Sequence, residues 1–257
     1  MRQITLLGTG SSMGAPVIGC DCQVCRSEDS RDKRLRCSAM VEYDGVKILI
    51  DAGPDFRYQM LREGVRHIDG VLLTHEHKDH TGGIDDLRTY NYLQKQTIQL
   101  YCNQRVGDSV KVDYHYAFTP REERYAGVPE IKVNVVRALE SFGIGGVQIV
   151  PLDVMHGGLP ILGYRIGELC YITDASEVCQ ETLQITKGCK VLVVNALRPI
   201  KHNTHFGLRE ALEFVSKVKP ERAIFTHTSH QMGLYSEISK NLPDGVEFGY
   251  DGMKVFF

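Results

Sequence analysis

Short runs of apolar residues, rich in valine, isoleucine and leucine, recur along most of this chain. Runs of about four to eight such residues, bounded by turn-forming residues, are typical of strands. The pattern predicts strands at residues 4–7, 39–43, 46–50, 71–74, 133–136, 147–152, 163–166, 170–173, 191–194, 222–226 and 254–257. Asp44-Gly45 separates two of these runs and predicts a hairpin, because this pair favours the backbone of a tight turn.

A second pattern, with apolar residues about three or four positions apart, predicts amphipathic helices at residues 56–63, 84–93, 177–185 and 208–218. The order of strands and helices suits β-sheets that are covered on their outer faces by helices, which is an α/β fold. No internal repeat or Pro/Ser-rich linker divides the 257 residues. We therefore expect a single domain over residues 1–257.

The most informative segment follows the strand predicted at 71–74 and reads HEHKDH at positions 75–80. Neutral imidazoles and carboxylates together suit Zn²⁺, Fe²⁺ or Mn²⁺. His75 and His77 point the same way in an extended or turning segment, because side chains alternate from residue to residue, so both can reach one ion. Asp79 and His80 lie past the turn and can reach a second ion.

Further polar residues also follow predicted strands directly, where a site is rigidly supported. If the HEHKDH segment were the sole source of ligands, each of two metal ions would have too few. Three other positions could supply the missing ligands of a two-metal site. They are His156, Asp174 and His227. Asp51 likewise follows the strand at 46–50. The regularity predicts a single shared site.

The ordered set of Asp51-Ala52-Gly53, HEHKDH, an isolated histidine, a strand-ending aspartate and a final Thr-His resembles the metallo-β-lactamase fold of hydrolases. The order of the motifs matches over roughly residues 1–252. The resemblance implies an α/β architecture of four layers, an αβ/βα sandwich, with a binuclear metal centre at one edge.

The resemblance also implies a role for each matching residue. The first ion would be held by His75, His77 and His156. The second ion would be held by Asp79, His80 and His227. Asp174 would bridge the two ions, and Asp51 would orient a ligand through a hydrogen bond.

The expected chemistry follows from two such ions about 3.5 to 4 Å apart, which lower the pKa of a bridging water and polarise the substrate. The hydroxide attacks an electrophilic carbonyl or phosphorus, with Asp79 or the ions holding it, so Asp79 is a candidate catalytic residue. This centre predicts a hydrolase but does not specify the bond that is cleaved.

The cysteines are distributed unevenly, and Cys20, Cys22 and Cys25 lie within six residues. In a reducing compartment three thiolates spaced C-x-C-x₂-C favour a tetrahedral structural Zn²⁺ site that needs one more ligand. His230 is the candidate for that ligand, since it lies three residues beyond His227. The scattered cysteines are expected to be small buried residues.

This cluster narrows the resemblance. The chain is similar to the PhnP phosphodiesterase subfamily in its Leu-x-Gly-Thr-Gly start at 6–10, its Gly-Cys-x-Cys-x₂-Cys cluster, SHQ at 229–231 and DGM at 251–253. That subfamily hydrolyses phosphodiesters, cyclic phosphates especially, at a binuclear Mn²⁺ or Zn²⁺ centre with a separate structural zinc. The resemblance thus implies two catalytic divalent ions (Zn²⁺ or Mn²⁺) and one structural Zn²⁺ here.

The same resemblance implies that His205, just before the helix at 208–218, is the general acid, and His202 is the competing candidate. An alkoxide is a poor leaving group that needs a proton, and a histidine near its ordinary pKa can supply one. The expected substrate is a small-molecule phosphodiester, and a homodimer would be unsurprising in this family.

Composition excludes some partners. The formal net charge of −2 gives no signature of polyanion binding, so no stable nucleic-acid complex is expected. The first residues lack the long apolar segment of a signal peptide, and no apolar run approaches the roughly 18 residues of a membrane span. These features predict a cytoplasmic location and no membrane partner.

The sequence is also compatible with three other functions. A transfer-RNA 3′-processing endonuclease shares the ligand pattern, but the chain has no Gly/Pro-rich arm and no basic excess for a large polyanion. A thioesterase or lactonase would keep the metal centre and change the electrophile, and His205 favours phosphorus over it. A metal-binding scaffold without activity is disfavoured by the complete ligand set.

Overall fold

The computed structural model describes the backbone of residues 1–257 and the side chains of all of them except Arg121. The strands are β1 (Arg2–Gly8), β2 (Ser38–Tyr43), β3 (Val46–Ile50), β4 (Gly70–Leu72), β5 (Ile98–Cys102), β6 (Ile131–Val135), β7 (Phe142–Ile144), β8 (Val147–His156), β9 (Leu159–Ile166), β10 (Leu169–Ile172), β11 (Glu177–Val178), β12 (Val191–Asn195), β13 (Arg222–Thr226), β14 (Val246–Phe248) and β15 (Lys254–Phe256).

The helices are α1 (Gln23–Arg26), α2 (Phe56–Glu63), α3 (Lys78–Thr81), α4 (Arg88–Gln94), α5 (Gln104–Asp113), α6 (Gln180–Thr186), α7 (Leu208–Val218) and α8 (Tyr235–Ile238). Short 3₁₀ turns lie at Ser30–Asp32, Ile84–Leu87, His115–Ala117, Arg121–Glu123, His230–Met232 and Ser239–Asn241. Among the described residues, no helix is both long enough and apolar enough to cross a bilayer.

The strands form two mixed sheets. The first runs in the order β15-β1-β2-β3-β4-β5-β6, antiparallel up to β3 and parallel from β3 to β6. The second runs in the order β11-β8-β9-β10-β12-β13-β14, with β7 beside β8 and parallel pairs from β10 onward. Both sheets therefore contain parallel strands whose carboxyl ends can share one edge.

Alternating side chains on these strands build the layers. Ile48 and Ile50 of β3 face the core between the sheets, whereas Leu49 faces the core under α2, α4 and α5. In β12, Val193 faces the central core and Leu192 faces the core under α7. Strands that are buried on both faces need continuous apolar runs, which explains the sequence pattern. The four-layer αβ/βα sandwich expected from the sequence is confirmed.

Most predicted elements are present, and the differences have local causes. The helices over 56–63 and 208–218 and the Asp44-Gly45 hairpin agree with the structure. The helix predicted over 84–93 begins as a 3₁₀ turn and becomes α4 only at Arg88. The helix predicted from 177 begins at Gln180, because Glu177 and Val178 pair with β8 and Cys179 accepts a hydrogen bond from the backbone N–H of Thr182.

The carboxyl ends of several strands meet at one edge of the sandwich. There Asp51 follows β3, Asp174 lies just beyond β10, and His227 follows β13. All three have positive φ angles, 61°, 57° and 52° respectively. Left-handed backbone is uncommon for residues with a side chain and is concentrated at functional sites. These turns direct the three side chains away from their strands and toward one another.

Candidate metal centre

The first group of potential ligands consists of the three histidines predicted for the first ion. Their ring centroids are 4.6 to 5.5 Å apart, and one nitrogen of each lies within 4.8 Å of the others. His75 Nε2 and His77 Nδ1 face each other at 3.1 Å. That separation suits two ligands on one ion with bonds of about 2.0–2.1 Å. The structure thus brings His75, His77 and His156 together.

The remaining ring nitrogens are fixed by hydrogen bonds. His156 Nδ1 lies 2.9 Å from the carbonyl oxygen of Asp174 and 2.7 Å from that of Thr204, so it carries the proton and leaves Nε2 free. His75 Nδ1 lies 2.9 Å from Thr74 Oγ1. Burial lowers the pKa of His75 well below its ordinary value, helped by the nearby charge of His80. A neutral imidazole is the form that binds a metal.

The second group contains the ligands predicted for the second ion, Asp79, His80 and His227, which also converge within 4.8 Å. His80 Nε2 is 3.2 Å from Asp79 Oδ2, and His227 Nε2 is 3.8 Å from the same oxygen. Asp79 and His80 lie on α3, which follows β4 in the chain, and His227 directly follows β13.

The carboxylate of Asp174 lies between the two groups. Its Oδ1 is 3.0 Å from His227 Nε2, and its Oδ2 is 3.4 Å from His80 Nε2. It also belongs to ligand-sized clusters with His75 and with His156. One carboxylate within reach of both groups is the arrangement that a bridging ligand requires. Its burial is almost complete, so a cation beside it is strongly favoured.

Asp51 fixes the positions of Thr74 and His80 by hydrogen bonds. Its Oδ1 accepts a hydrogen bond from the backbone N–H of Thr74 at 2.8 Å, and its Oδ2 accepts one from Thr74 Oγ1 at 2.8 Å. His80 Nδ1 donates to the same Oδ2 at 2.7 Å. The proton on Nδ1 leaves His80 Nε2 free, which fits the orienting role predicted for Asp51.

Gly53 allows the Asp51 loop to approach the ligand-bearing turn. A Cβ atom at this position would lie 2.0 Å from the carbonyl oxygen of Asp79. The backbone N–H of Ala52 donates to the carbonyl of His80 at 2.8 Å across the same contact. The glycine of the Asp51-Ala52-Gly53 motif is therefore required by close backbone packing.

The charges of the centre call for a cation. Burial alone would raise the pKa of Asp174, but the His227 and His80 rings outweigh it and hold that pKa well below its usual range. Burial likewise opposes ionisation of Asp79, and the neighbouring rings of His227 and His80 lower its pKa instead. Burial lowers the pKa of His80, yet the Asp174 and Asp51 carboxylates raise it well above its ordinary value. The carboxylates thus stabilise positive charge at His80 Nε2.

Buried nitrogens without hydrogen-bond partners also indicate that the site suits a bound cation. Within the described part of the chain, His80 Nε2 and both ring nitrogens of His227 are buried and accept or donate no hydrogen bond. An unsatisfied buried polar atom costs about 1–3 kcal/mol, so native structures rarely keep one. Divalent ions between these nitrogens and the carboxylates would satisfy them, and the residues present fit such a centre.

His205 approaches the centre from the loop before α7. Its Nε2 is 3.1 Å from Asp174 Oδ1, and its Nδ1 is 2.9 Å from Thr204 Oγ1. Burial lowers its pKa, and Asp174 opposes that effect. His205 also forms a ligand-sized cluster with His156 and Asp174, so its position is compatible with a role as ligand as well as acid. His202 lies farther out, where burial and the charge of Arg198 lower its pKa.

The thiol cluster forms a separate site. The Sγ atoms of Cys20, Cys22 and Cys25 lie 3.4, 3.4 and 3.6 Å from His230 Nδ1. Ligands on tetrahedral zinc, with Zn–S of about 2.3 Å and Zn–N of about 2.0–2.1 Å, are about 3.5 Å apart. The backbone N–H of Cys25 and the ring of His230 lower the pKa of Cys22 to about 6. The predicted structural site therefore has the donors and the spacing that zinc requires.

The structure also reveals supporting residues that the sequence did not single out. Asn195, the last residue of β12, fixes the turn after Asp174 by two hydrogen bonds to the backbone of Ala175. Its Oδ1 accepts a hydrogen bond from the N–H of Ala175 at 2.7 Å, and its Nδ2 donates one to the carbonyl oxygen of Ala175 at 3.1 Å. Glu76 of the HEHKDH segment pairs with Arg105 at 3.1 Å. A polar residue that ends an apolar strand was a usable signal for Asn195, whereas nothing local predicts the pairing of Arg105.

Comparison with known proteins agrees with the fold described above. A family model described as "Beta-lactamase superfamily domain" matches residues 46–228, which include the HEHKDH segment, His156, Asp174 and His227. The crystal structure of a new diphosphatase from the PhnP family superimposes with a TM-score of 0.93 at 38% sequence identity. That match covers 100% of this chain and 98% of the other.

Curated relatives carry other names. An octanoyltransferase of Porphyromonas gingivalis is 41% identical over 252 residues, which are 97% of this chain and 50% of the relative. A ribonuclease Z of Methanopyrus kandleri is 30% identical over 132 residues, which are 49% of this chain and 42% of the relative. The chain thus spans about half the length of the curated relatives it matches, and their activities belong to those longer proteins.

Proposed function

Since this chain belongs to the metallo-β-lactamase superfamily of hydrolases, we propose that it is a binuclear metal-dependent phosphodiesterase that cleaves small or cyclic organic phosphodiesters. The observation that carries the proposal is the shared position of Asp174, which lies between two ligand groups and 3.1 Å from His205 Nε2. A metal pair with an adjacent proton donor matches the needs of phosphodiester hydrolysis.

The chain's own residues have definable roles in such a reaction. Two divalent ions, Zn²⁺ or Mn²⁺, would when bound polarise the phosphoryl oxygens and make water more acidic. Asp79 and Asp174 would help to hold these ions, and Asp79 would also orient the attacking water. His205, with its Nε2 facing the centre, holds the proton that the leaving oxygen receives. Asp51 and Asn195 keep His80 and Asp174 in place.

The size of the neighbouring cavity favours a small substrate. A cavity of about 310 Å³ opens beside His205 and His227 and is lined in part by Ser11 and Arg198. This volume lies at the lower end of the range of small-molecule sites, about 300–1,000 Å³. The similarity to a diphosphatase of the PhnP family supports phosphorus as the electrophile.

Two other activities have a relative that motivates them. The ribonuclease Z relative keeps RNA processing as a candidate, although the small cavity and the net charge of −2 disfavour it. The octanoyltransferase relative keeps acyl thioesters as candidate substrates, since half of that longer protein resembles this chain. Both classes belong in the substrate panel.

The first experiment is metal analysis of the purified protein followed by a hydrolysis screen. The panel contains bis(4-nitrophenyl) phosphate, a 2′,3′-cyclic nucleotide, a cyclic ribose phosphate, a precursor tRNA and an octanoyl thioester. We expect about three metals per chain, two of them exchangeable and one firmly held, and turnover of the diesters. Thioester turnover without any diester turnover would overturn the proposal.

The second experiment tests His205 with leaving groups of different basicity. His205→Ala should slow an alkyl leaving group by about 10²- to 10⁴-fold and an aryl one far less, because only the alkoxide needs a proton. His202→Ala is the matched control and should show no such difference. Metal content is measured in both variants. Loss of one ion from His205→Ala would assign His205 as a ligand, and equal losses with both leaving groups would remove its role as acid.

A further inference from the structure

A cluster of polar side chains lies inside the core between the two sheets, where most side chains are apolar. Its centre is the thiol of Cys37, which directly precedes β2 of the first sheet and is 1% exposed. Cys37 Sγ lies 3.2 Å from Tyr171 Oη of β10 and 3.2 Å from Thr226 Oγ1 of β13, both in the second sheet. Polar groups in an apolar core cost free energy unless they are hydrogen-bonded, so these three groups form one network.

Thr173 connects this cluster to the metal centre. Its Oγ1 lies 3.6 Å from Cys37 Sγ and 2.6 Å from Asp174 Oδ2. Tyr171 and Thr173 are two residues apart at the end of β10, so both side chains project to the same face of the sheet. The hydrogen bonds therefore run from the core between the sheets to the carboxylate that lies between the two ligand groups.

The protons of the network have one consistent arrangement. An ionised carboxylate only accepts hydrogen bonds, so the single hydroxyl proton of Thr173 belongs to its 2.6 Å bond with Asp174. Burial raises the pKa of the Cys37 thiol, which therefore keeps its proton and donates it toward Thr173 Oγ1. The hydroxyl groups of Tyr171 and Thr226 in turn donate to the sulfur.

The hydrogen bond from Thr173 sets the rotation of the Asp174 carboxylate. Oδ2 accepts this bond and lies 3.4 Å from His80 Nε2, whereas Oδ1 lies 3.0 Å from His227 Nε2. The terminal torsion of an aspartate is broad, so a carboxylate that must keep one oxygen toward each ion needs a further contact. One hydrogen bond to Oδ2 still leaves that oxygen a lone pair for a metal.

We propose that Thr173 and Cys37 are positioning residues that hold the Asp174 carboxylate in the orientation that serves both ions. The inference rests on the binuclear centre of the proposed function. Thr173 acts directly through its hydroxyl group, and Cys37 acts through Thr173. Both side chains are buried beneath the centre, so they should change the affinity for metal and not the choice of substrate.

Titration of the full chain with Zn²⁺, in competition with a chromophoric chelator, tests the role of Thr173. Thr173→Val keeps the shape of the side chain and removes the hydroxyl group, so it should weaken binding of the exchangeable ions by about 10- to 100-fold. Thr173→Ser keeps the hydroxyl group and should stay within about threefold of the unmodified protein. Thr186→Val is the matched control and should leave the affinity unchanged, because Thr186 is a buried threonine whose Oγ1 donates to the carbonyl of Leu183 in α6.

The role of Cys37 is tested through its coupling to Thr173. Cys37→Ala should weaken Zn²⁺ binding by about threefold to tenfold in the otherwise unmodified protein, and by less than about twofold when Thr173 is already replaced by valine. Cys102→Ala, which removes a buried thiol of β5 in the core under α2, α4 and α5, is the control. Equal losses from Cys37→Ala in the two backgrounds would overturn its action through Thr173.

Measurement of Tm for every variant separates positioning from folding. A contribution to stability alone would lower Tm and leave the affinity for Zn²⁺ unchanged, and that result in Thr173→Val would overturn the inference. If Thr173→Val does not fold, Cys37→Ala decides, and unchanged affinity there overturns the inference. The titration needs no turnover, so an inactive protein with the expected order of affinities would overturn the proposed phosphodiesterase activity alone. An active phosphodiesterase with unchanged affinities would overturn the inference alone.

Discussion

Asp51 provides the sharpest test of the metal centre, because it touches no ion and yet is placed to control one. Asp51→Asn preserves the shape of the side chain but turns one oxygen into an N–H₂ donor. If the amide nitrogen takes the place of Oδ2, it meets the N–H of His80 Nδ1, which lies 2.7 Å away. If it takes the place of Oδ1, it meets the backbone N–H of Thr74 at 2.8 Å.

Either orientation weakens binding of the second ion. In the first, His80 must move its proton to Nε2, which then cannot bind a metal. A hydrogen bond to a charged group contributes about 1.5–3 kcal/mol, which corresponds to about 10- to 150-fold in affinity. Loss of a partner that orients a metal ligand costs about 10- to 100-fold. We therefore expect a loss of affinity for one exchangeable ion in that range.

The assay is competition for metal with a chromophoric chelator at constant pH, followed by hydrolysis of bis(4-nitrophenyl) phosphate across metal concentrations. Activity of Asp51→Asn should recover at high metal concentration if only affinity has changed. Asp55→Asn is the control, because Asp55 is a nearby carboxylate that pairs with Arg36 away from the centre. Unchanged affinity for both ions in Asp51→Asn would refute the orienting role.

Three other predictions concern the thiol cluster, the close backbone contact at Gly53 and the dependence of stability on pH. Cys22→Ser should release the firmly held zinc and lower Tm by several degrees, whereas Cys179→Ser should not; an unchanged Tm and zinc content would count against the structural site. Gly53→Ala should displace the turn at Asp79, which lies 2.0 Å from the added Cβ, and reduce metal content. Gly158→Ala meets open space and should have no such effect, and equal metal content in the two variants would contradict this reasoning. Burial raises the pKa of Asp251 from 3.8 to about 6, so the folded chain binds its proton more tightly than the unfolded chain does. The free energy of unfolding should therefore fall by roughly 3 kcal/mol more than in Asp251→Asn as pH rises from about 4 to above 6, and parallel denaturation curves would refute this.

The sequence predicted the layers of the fold and the membership of the site for the same reason. Parallel strands that are buried on both faces show continuous apolar runs, and polar residues directly after such runs must emerge at an edge. Asp51, Asp174 and His227 were found in this way, and the structure brings them together. Their roles as ligands rest on the resemblance and remain predictions.

Other features depend on contacts that no local pattern encodes. The hydrogen bond from His80 to Asp51 joins residues that are far apart in sequence. The left-handed backbone of His227 could not be predicted, because left-handed backbone is usually indicated by glycine and this residue is a histidine. Helix α5 was not predicted because only three of its ten residues are valines and the rest are polar or glycine, and strand β5 was not predicted because the polar Gln99 interrupts its short apolar run.

The segment from Thr226 to His230 connects the thiol cluster to the candidate metal centre. His227 faces one site and His230 the other, while Thr228 N–H donates to the carbonyl of Thr9 and Ser229 N–H to that of Leu197, at 2.8 and 2.9 Å. Two binding events that act on one short stretch of backbone are thermodynamically linked. If zinc at the cysteines increases the affinity for the exchangeable ions by some factor, those ions must increase the affinity for that zinc by the same factor. Under that condition metal loading would be cooperative, and depletion of one ion would lower the occupancy of the other site.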